Sequence, residues 1–295
     1  MNCPCESGLK STDCCLLPDG GWYKNPTPFT PHPPQTGFSH PDCYLFHTKD
    51  CSTKMSDEHY VSETVLKAVD DVLKVSGVPW LKPGESKKIP ASSFYRKILC
   101  TRHNNAFSQI DAEGGRFVKW IKILCNSSMS PPQPFTIFNG FDIERWFLKT
   151  FWGLLFSTNL QIAPGQAIKK VKNSPRMVDL LFGRVPDEWG RGLWVRTDPK
   201  SLVDTELSLS VSPVSKPGTN KLFGFTLNIF GFDFLYSTAP INVETSTFRP
   251  SDINFKRHKS VSKIIISWPA DIVHSGQIVW HWAGKRKLKE NKKVV

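Results

Sequence analysis

The chain has 295 residues, 39% of them hydrophobic and 12% aromatic, enough for two domains with a sizeable core. Its formal net charge of +12 suits a polyanionic partner, nucleic acid first and an acidic membrane surface second. The most apolar run, 146–156, is interrupted by Lys149 and is too short to span a bilayer, and the first residues carry no apolar leader, so a soluble protein is expected.

Residues 1–16 hold Cys3, Cys5, Cys14 and Cys15 within one short loop that has no room for a hydrophobic core. A tetrahedral Zn²⁺ can supply the folding free energy instead, and Gly8 lets the loop reverse. Disulfides in a secreted chain are the other use of eight cysteines. The grouping 3/5, 14/15, 43/51 and 100 favours metal ligands in a reducing cytoplasm, with Cys125 left over as a small apolar side chain. The wording Cys-Pro-Cys-x-Ser-Gly-x-Lys resembles the SEC-C motif, the zinc tail first known from the bacterial preprotein-translocase motor. The resemblance implies zinc on Cys3, Cys5, Cys14 and Cys15 and a role as an adaptor for a protein partner. Glu6 stands where that motif usually has glycine.

Residues 17–38 carry six prolines and read as a polyproline-like linker. An irregular segment from His40 to Ser56 leads into a short strand. Ser62 is placed to cap a helix with Val65, Leu66, Val69, Val72 and Leu73 on one face, and Gly77 is its stop. Residues 78–91 read as a basic loop broken by proline, and 94–99 as a strand. From His103 the pattern is helical, with Ala106, Phe107 and Ile110 on one side, and it continues beyond Gly114-Gly115 through Phe117, Val118, Ile121 and Leu124.

A linker covers 126–140. Asp142 is placed to cap a helix through Leu155, and Ser174-Pro175 starts a shorter one through Leu181 that Gly183 stops. The period then changes to two, at Leu207, Leu209 and Val211, at Phe223 to Ile229, and at Phe232, Phe234 and Tyr236. Ile264 to Trp268 and Ile278 to Trp282 read as further strands. The last residues, 285–295, are a basic tail. The expected fold class is α+β, in the order zinc knuckle 1–16, linker 17–38, zinc domain 39–125, linker 126–140, and a C-terminal domain, 141–284, of helices on a mostly antiparallel sheet.

The centre of the chain carries the chemistry. Cys43 and Cys51 offer two thiolates, and Cys100 with His103 offers Cys-x-x-His at a strand-to-helix junction, which is ordinary zinc spacing. His40 and His47 are possible substitutes for one cysteine. Between the pairs lie Asp57, Glu58 and His59, and Asn104 follows the second pair. This stretch resembles the ββα-metal domain of HNH endonucleases, and in particular a group of bacterial HNH-like proteins. The matching pieces are Glu58-His59-Tyr60-Val61-Ser62 and Leu99-Cys100-Thr101-Arg102-His103-Asn104. The resemblance implies a structural zinc on Cys43, Cys51, Cys100 and His103. It also implies a general base, His59, and a catalytic Mg²⁺ or Mn²⁺ held by Glu58 and Asn104 for hydrolysis of DNA phosphodiester bonds. Ser108 and Asp111 would orient neighbouring groups, while Arg102, Arg116, Lys119 and Lys122 could grip phosphates. Three features differ from that family: the Cys-x7-Cys spacing, glutamate for the usual aspartate, and Ser92-Ser93 where a bracing asparagine is usual. The other function open to such a chain is a non-catalytic zinc protein that binds nucleic acid or a protein partner.

Overall fold

The computed structural model describes residues 1–125, 134–163, 166–168, 174–197, 208–215, 221–257 and 260–282. The Cys-bearing segments before residue 55 are irregular, with single 3-10 turns at Ser11–Asp13 and Phe46–Thr48. Strand β1 (Met55–His59) follows. The chain then makes α1 (Glu63–Val69) and a hairpin of β2 (Val72–Ser76) and β3 (Ser86–Pro90). Strand β4 (Tyr95–Cys100) returns antiparallel to β1, and α2 (Thr101–Cys125) follows at once. Two antiparallel strands and a helix thus form a ββα unit with an insertion between its strands.

The helix expected to run on to Gly77 stops at Val69. Asp70 and Asp71 would put two negative charges at a helix C-terminus, where the macrodipole is unfavourable to them. Val72 and Val75 favour an extended chain, and β2 pairs with the residues of β3, where a loop was expected. Ser62 occupies the N-cap position of α1, but its hydroxyl makes no capping bond and is used elsewhere.

Within α2, Gly114 and Gly115 each cost about 1 kcal/mol of helix propensity relative to alanine. Close approach explains them. A Cβ on Gly114 would stand 2.4 Å from the Trp146 indole, and one on Gly115 would stand 2.6 Å from Thr64 Oγ1.

The stretch expected as a linker contains β5 (Phe135–Asn139), which leads into α3 (Gly140–Phe156). Asn139, not Asp142, caps α3, accepting from the backbone N–H groups of Phe141 and Asp142. The short strands β6 (Gln161–Ala163) and β7 (Gln166–Ala167) precede α4 (Pro175–Leu181), whose N-cap is Ser174 as expected. Then come β8 (Gly192–Arg196), β9 (Leu209–Ser215), β10 (Leu222–Ile229), β11 (Phe232–Ser237), β12 (Ser246–Phe248), β13 (Pro250–Arg257), β14 (Ser260–Ser267) and β15 (Ser275–Trp282). The fold is mixed α+β. In place of one sheet there are two larger ones, of order β12-β8-β11-β10-β9 and β15-β13-β14-β5. The first is antiparallel throughout; in the second, β13–β15 and β14–β5 are parallel. Leu207 and the basic tail lie outside the described residues.

One hydrophobic core runs through both halves of the chain. Phe117 on α2 meets Phe138 on β5 at 5.3 Å and Phe234 on β11 at 5.4 Å between ring centroids. The proline-rich segment is laid along this body. Thr27 donates its backbone N–H and hydroxyl to the Asp142 carboxylate, Lys24 pairs with Glu113 at 2.6 Å, and Asn139 donates to the Lys24 carbonyl. The N-terminal knuckle docks as well: Thr136 donates to the Pro4 carbonyl, and Ile137 joins the knuckle's cysteines in a small apolar cluster.

Candidate metal centres

The ligand atoms of Cys43, Cys51, Cys100 and His103 all lie within 4.8 Å of one another, and all four residues are buried. The elements explain the convergence. Cys43 and Cys51 flank the 3-10 turn Phe46–Thr48, Cys100 ends β4, and His103 sits in the first turn of α2. His103 Nδ1 is 3.1 Å from Cys100 Sγ, 3.6 Å from Cys43 Sγ and 3.8 Å from Cys51 Sγ.

The far side of the imidazole fixes its tautomer. Thr48 Oγ1 gives its proton to the Leu45 carbonyl and lies 3.1 Å from His103 Nε2. It therefore accepts from Nε2–H, which leaves the Nδ1 lone pair facing the sulfurs. This is the orientation a metal-bound histidine takes when a neighbouring group holds its other nitrogen. Packed without an ion, the thiols compete for protons. Hydrogen bonds from Cys43 and Cys51 push Cys100 well down, and donation to Cys100 pushes Cys43 well up. A set of three sulfurs and one nitrogen with no open position fits a structural Zn²⁺. His40 and His47 are not part of the group.

The second group is Cys3, Cys5, Cys14 and Cys15, again within 4.8 Å. Cys14 Sγ is 3.4 Å from Cys5 Sγ, 3.6 Å from Cys15 Sγ and 3.3 Å from Ser7 Oγ. Burial raises the Cys5 pKa, but hydrogen bonds from Ser7 and Cys3 outweigh it and bring the thiol down to about 7. Gly8 turns with φ +80°, and Glu6 also sits at positive φ, +63°. The position before Ser7 thus has a left-handed backbone of the kind that favours glycine. Glu6 takes it and accepts from Trp120 Nε1 at 2.7 Å.

The residues tied to catalysis by resemblance separate into two environments. Glu58 is buried, and its carboxylate meets Lys149 Nζ from α3. Lys149 also pairs with Asp111 of α2 at 2.8 Å. Asp111 accepts a further bond from Ser62 Oγ, which in turn accepts from Trp146 Nε1 at 3.2 Å. Asn104 donates to Ser56 Oγ at 2.6 Å. Ser56 and Glu58 are two residues apart in β1, so strand alternation puts both side chains on one face, toward α2 and α3. His59 stands apart from the central cysteine–histidine cluster. Its ring is 6.2 Å from that of Tyr95, and its Nε2 is 4.0 Å from Glu63 Oε2, too long for a hydrogen bond. That nitrogen is buried without a hydrogen-bond partner among the described residues.

Lys149 is the residue sequence reasoning missed. Its signal was present as a single lysine inside an otherwise apolar helical run. Two of the expected phosphate contacts are engaged internally: Arg102 with Asp50 at 2.9 Å, and Arg116 with Glu113 at 2.9 Å. Lys119 is exposed and Lys122 half-buried. Ser108 donates to the Asn105 carbonyl of its own helix, so it orients no other element.

No family model, curated protein or solved structure matches the chain.

Proposed function

We propose that the protein binds nucleic acid on a zinc-stapled ββα unit of the HNH kind without cleaving it. The observation that carries this reading is the position of Lys149. A buried ammonium stands between the Glu58 and Asp111 carboxylates. A divalent cation on Glu58 would have to displace that charge or sit beside it in a poorly screened interior. Asn104, the second ligand in the resemblance, donates its amide N–H to Ser56, which ties the side chain to β1.

The insertion hairpin supplies the binding surface. Lys74 and Lys88 are directly opposite each other across β2 and β3 and both are exposed. Like charges so placed repel, and a phosphate between them turns that cost into attraction. Lys82 and Lys87 add two more exposed charges, and Trp80 is 44% exposed beside them in the chain. The zincs hold the scaffold rigid, a reducing cytoplasm suits their thiolates, and the exposed Leu9 and Leu17 are where a protein partner would meet the knuckle. No helix of the described residues is long and apolar enough to cross a membrane.

A second reading, metal-assisted hydrolysis of DNA, is favoured by one observation. His59 Nε2 has no hydrogen-bond partner among the described residues, and His59 occupies the place of the family's general base. One experiment separates the two. Supercoiled plasmid is incubated with the zinc-loaded protein and Mg²⁺ or Mn²⁺, and gel shifts are run at rising salt. Binding that falls steeply with salt, with no nicking, supports the binding reading. Nicking that disappears in His59→Ala while binding persists establishes the hydrolytic one. Changing Lys74, Lys82, Lys87 and Lys88 together to alanine is also expected to weaken binding. The salt slope should fall by roughly one for each phosphate no longer neutralised; an unchanged slope would place the interface elsewhere.

A further inference from the structure

The hairpin of β2 and β3 is closed by the loop 77–85, and this loop has a defined shape. The Leu81 N–H donates to the Val78 carbonyl at 3.1 Å, and the Glu85 N–H to the Lys82 carbonyl at 2.9 Å. The Lys82 N–H donates to the Glu85 carboxylate at 3.1 Å. Gly77 and Gly84 turn the chain at φ +69° and +81°, and Pro79 and Pro83 fix their own φ. Val78, Pro79 and Leu81 are half-buried and seat the loop.

Trp80 differs from these neighbours. It is 44% exposed, yet its indole N–H is donated to Asn159 Oδ1 at 3.0 Å. Asn159 is itself buried, just beyond the end of α3. A ring pinned at its N–H edge and seated on an ordered loop keeps part of its π surface in solvent without losing its orientation. Such a ring can stack on a ligand without first being ordered.

The charges around it are few. The hairpin and the residues that lead into it carry Lys74, Lys82, Lys87 and Lys88 against Asp70, Asp71 and Glu85. Four against three leaves an excess of one. Asp71 acts on Lys67 of α1, and Glu85 is engaged by the Lys82 backbone. Phosphate attraction at this surface is therefore modest, and selectivity has to come from the ring.

We propose that Trp80 is a stacking platform for an unpaired base, so that the nucleic acid held by the hairpin is single-stranded. This deepens the binding reading and rests on it. Every base has a π face, but a duplex covers those faces with neighbouring pairs, and only an unstacked base can lie on an indole. Lys74 and Lys88, opposite each other on the ribbon, and Lys82, two residues beyond Trp80, take the flanking phosphates. Stacking and phosphate contacts do not read the 2′ position, so the same chemistry serves DNA and RNA.

The test uses the full-length, zinc-loaded chain. Fluorescence anisotropy is measured with labelled oligo(dA), oligo(dT) and oligo(U) strands and with a duplex of equal length, all at one salt concentration. At least one single strand should bind about fivefold or more tighter than the duplex, the worth of one stacked base. Trp80→Ala should remove that margin and leave duplex affinity, circular dichroism and zinc content unchanged. Trp80→Phe, which keeps a smaller ring, should fall between the two. Comparing oligo(dT) with oligo(U) identifies the sugar that is preferred. Affinity for the duplex equal to or above that for every single strand, or single-strand affinity unchanged in Trp80→Ala, would overturn the proposal and leave nucleic-acid binding standing. Binding to none of the four probes would overturn both.

Discussion

Lys149 brings one positive charge to a buried region that holds two carboxylates. One ammonium cannot balance both, so one carboxyl is pressed toward its protonated form. Burial pushes the Glu58 pKa up, Asp111 adds to the rise, Lys149 opposes it, and the result is about 7. A folded-state pKa above the unfolded one means that the folded chain holds the proton more tightly. The associated stability is complete below the unfolded value of 4.5 and is lost as pH rises through about 7. Wild type compared with Glu58→Gln should therefore lose up to about 3 kcal/mol across that window, read by urea unfolding of zinc-loaded protein. The comparison cancels titration of the zinc ligands, and parallel profiles would contradict it. Lys149→Met should cost about 3–5 kcal/mol, because it leaves the buried Glu58 carboxylate without its counter-ion and beside partly buried Asp111. Glu6 offers a second residue-scale test. Glu6→Ala loses the Trp120 bond and keeps the left-handed strain, whereas Glu6→Gly loses the bond and relieves it. Glycine should be the more stable variant by about 1 kcal/mol, measured the same way; alanine equal to or above glycine would mean the backbone is not left-handed there.

Helix α2 joins His103 of the central cysteine–histidine cluster at one end to the shared core at the other. Propensity alone says that Gly114→Ala or Gly115→Ala should stabilise such a helix. Packing says the opposite, since the added methyls meet Trp146 and Thr64. A destabilisation of about 1–3 kcal/mol in each is expected from overpacking, and a gain would mean that α2 and α3 stand further apart than this packing requires. At this scale the sequence was readable where one period ran unbroken. The α2 face, the Ser174 cap and the alternation of β10 and β11 follow from local pattern alone. It failed where pairing decided the outcome. Val72 and Leu73 suit a helical face as well as a strand, and only β3 settles the choice. Phe135 to Asn139 sits in proline-rich surroundings and becomes a strand because β14 lies beside it. The two clusters that could hold a metal ion were legible because spacing constrains them; the partner of Glu58 was not, because Lys149 is far away in the chain.

At the scale of the molecule, the N-terminal knuckle is anchored. Pro4 accepts from Thr136, Glu6 accepts from Trp120, and Ile137 packs on the cysteines. The polyproline segment reads as a spacer, which would let the knuckle melt alone. The contacts through Lys24 and Thr27 predict instead that Cys14→Ser lowers the unfolding temperature of the whole chain, with one transition in calorimetry; a separate low-temperature transition would show the knuckle to be an independent tail. Both clusters are expected to hold metal, since each gathers four ligand atoms within 4.8 Å of one another. Elemental analysis of protein purified without chelator measures this most directly. The two four-ligand sites predict about two zinc ions per chain, falling to about one in Cys100→Ser. A value near zero, with the protein still folded, would contradict the account.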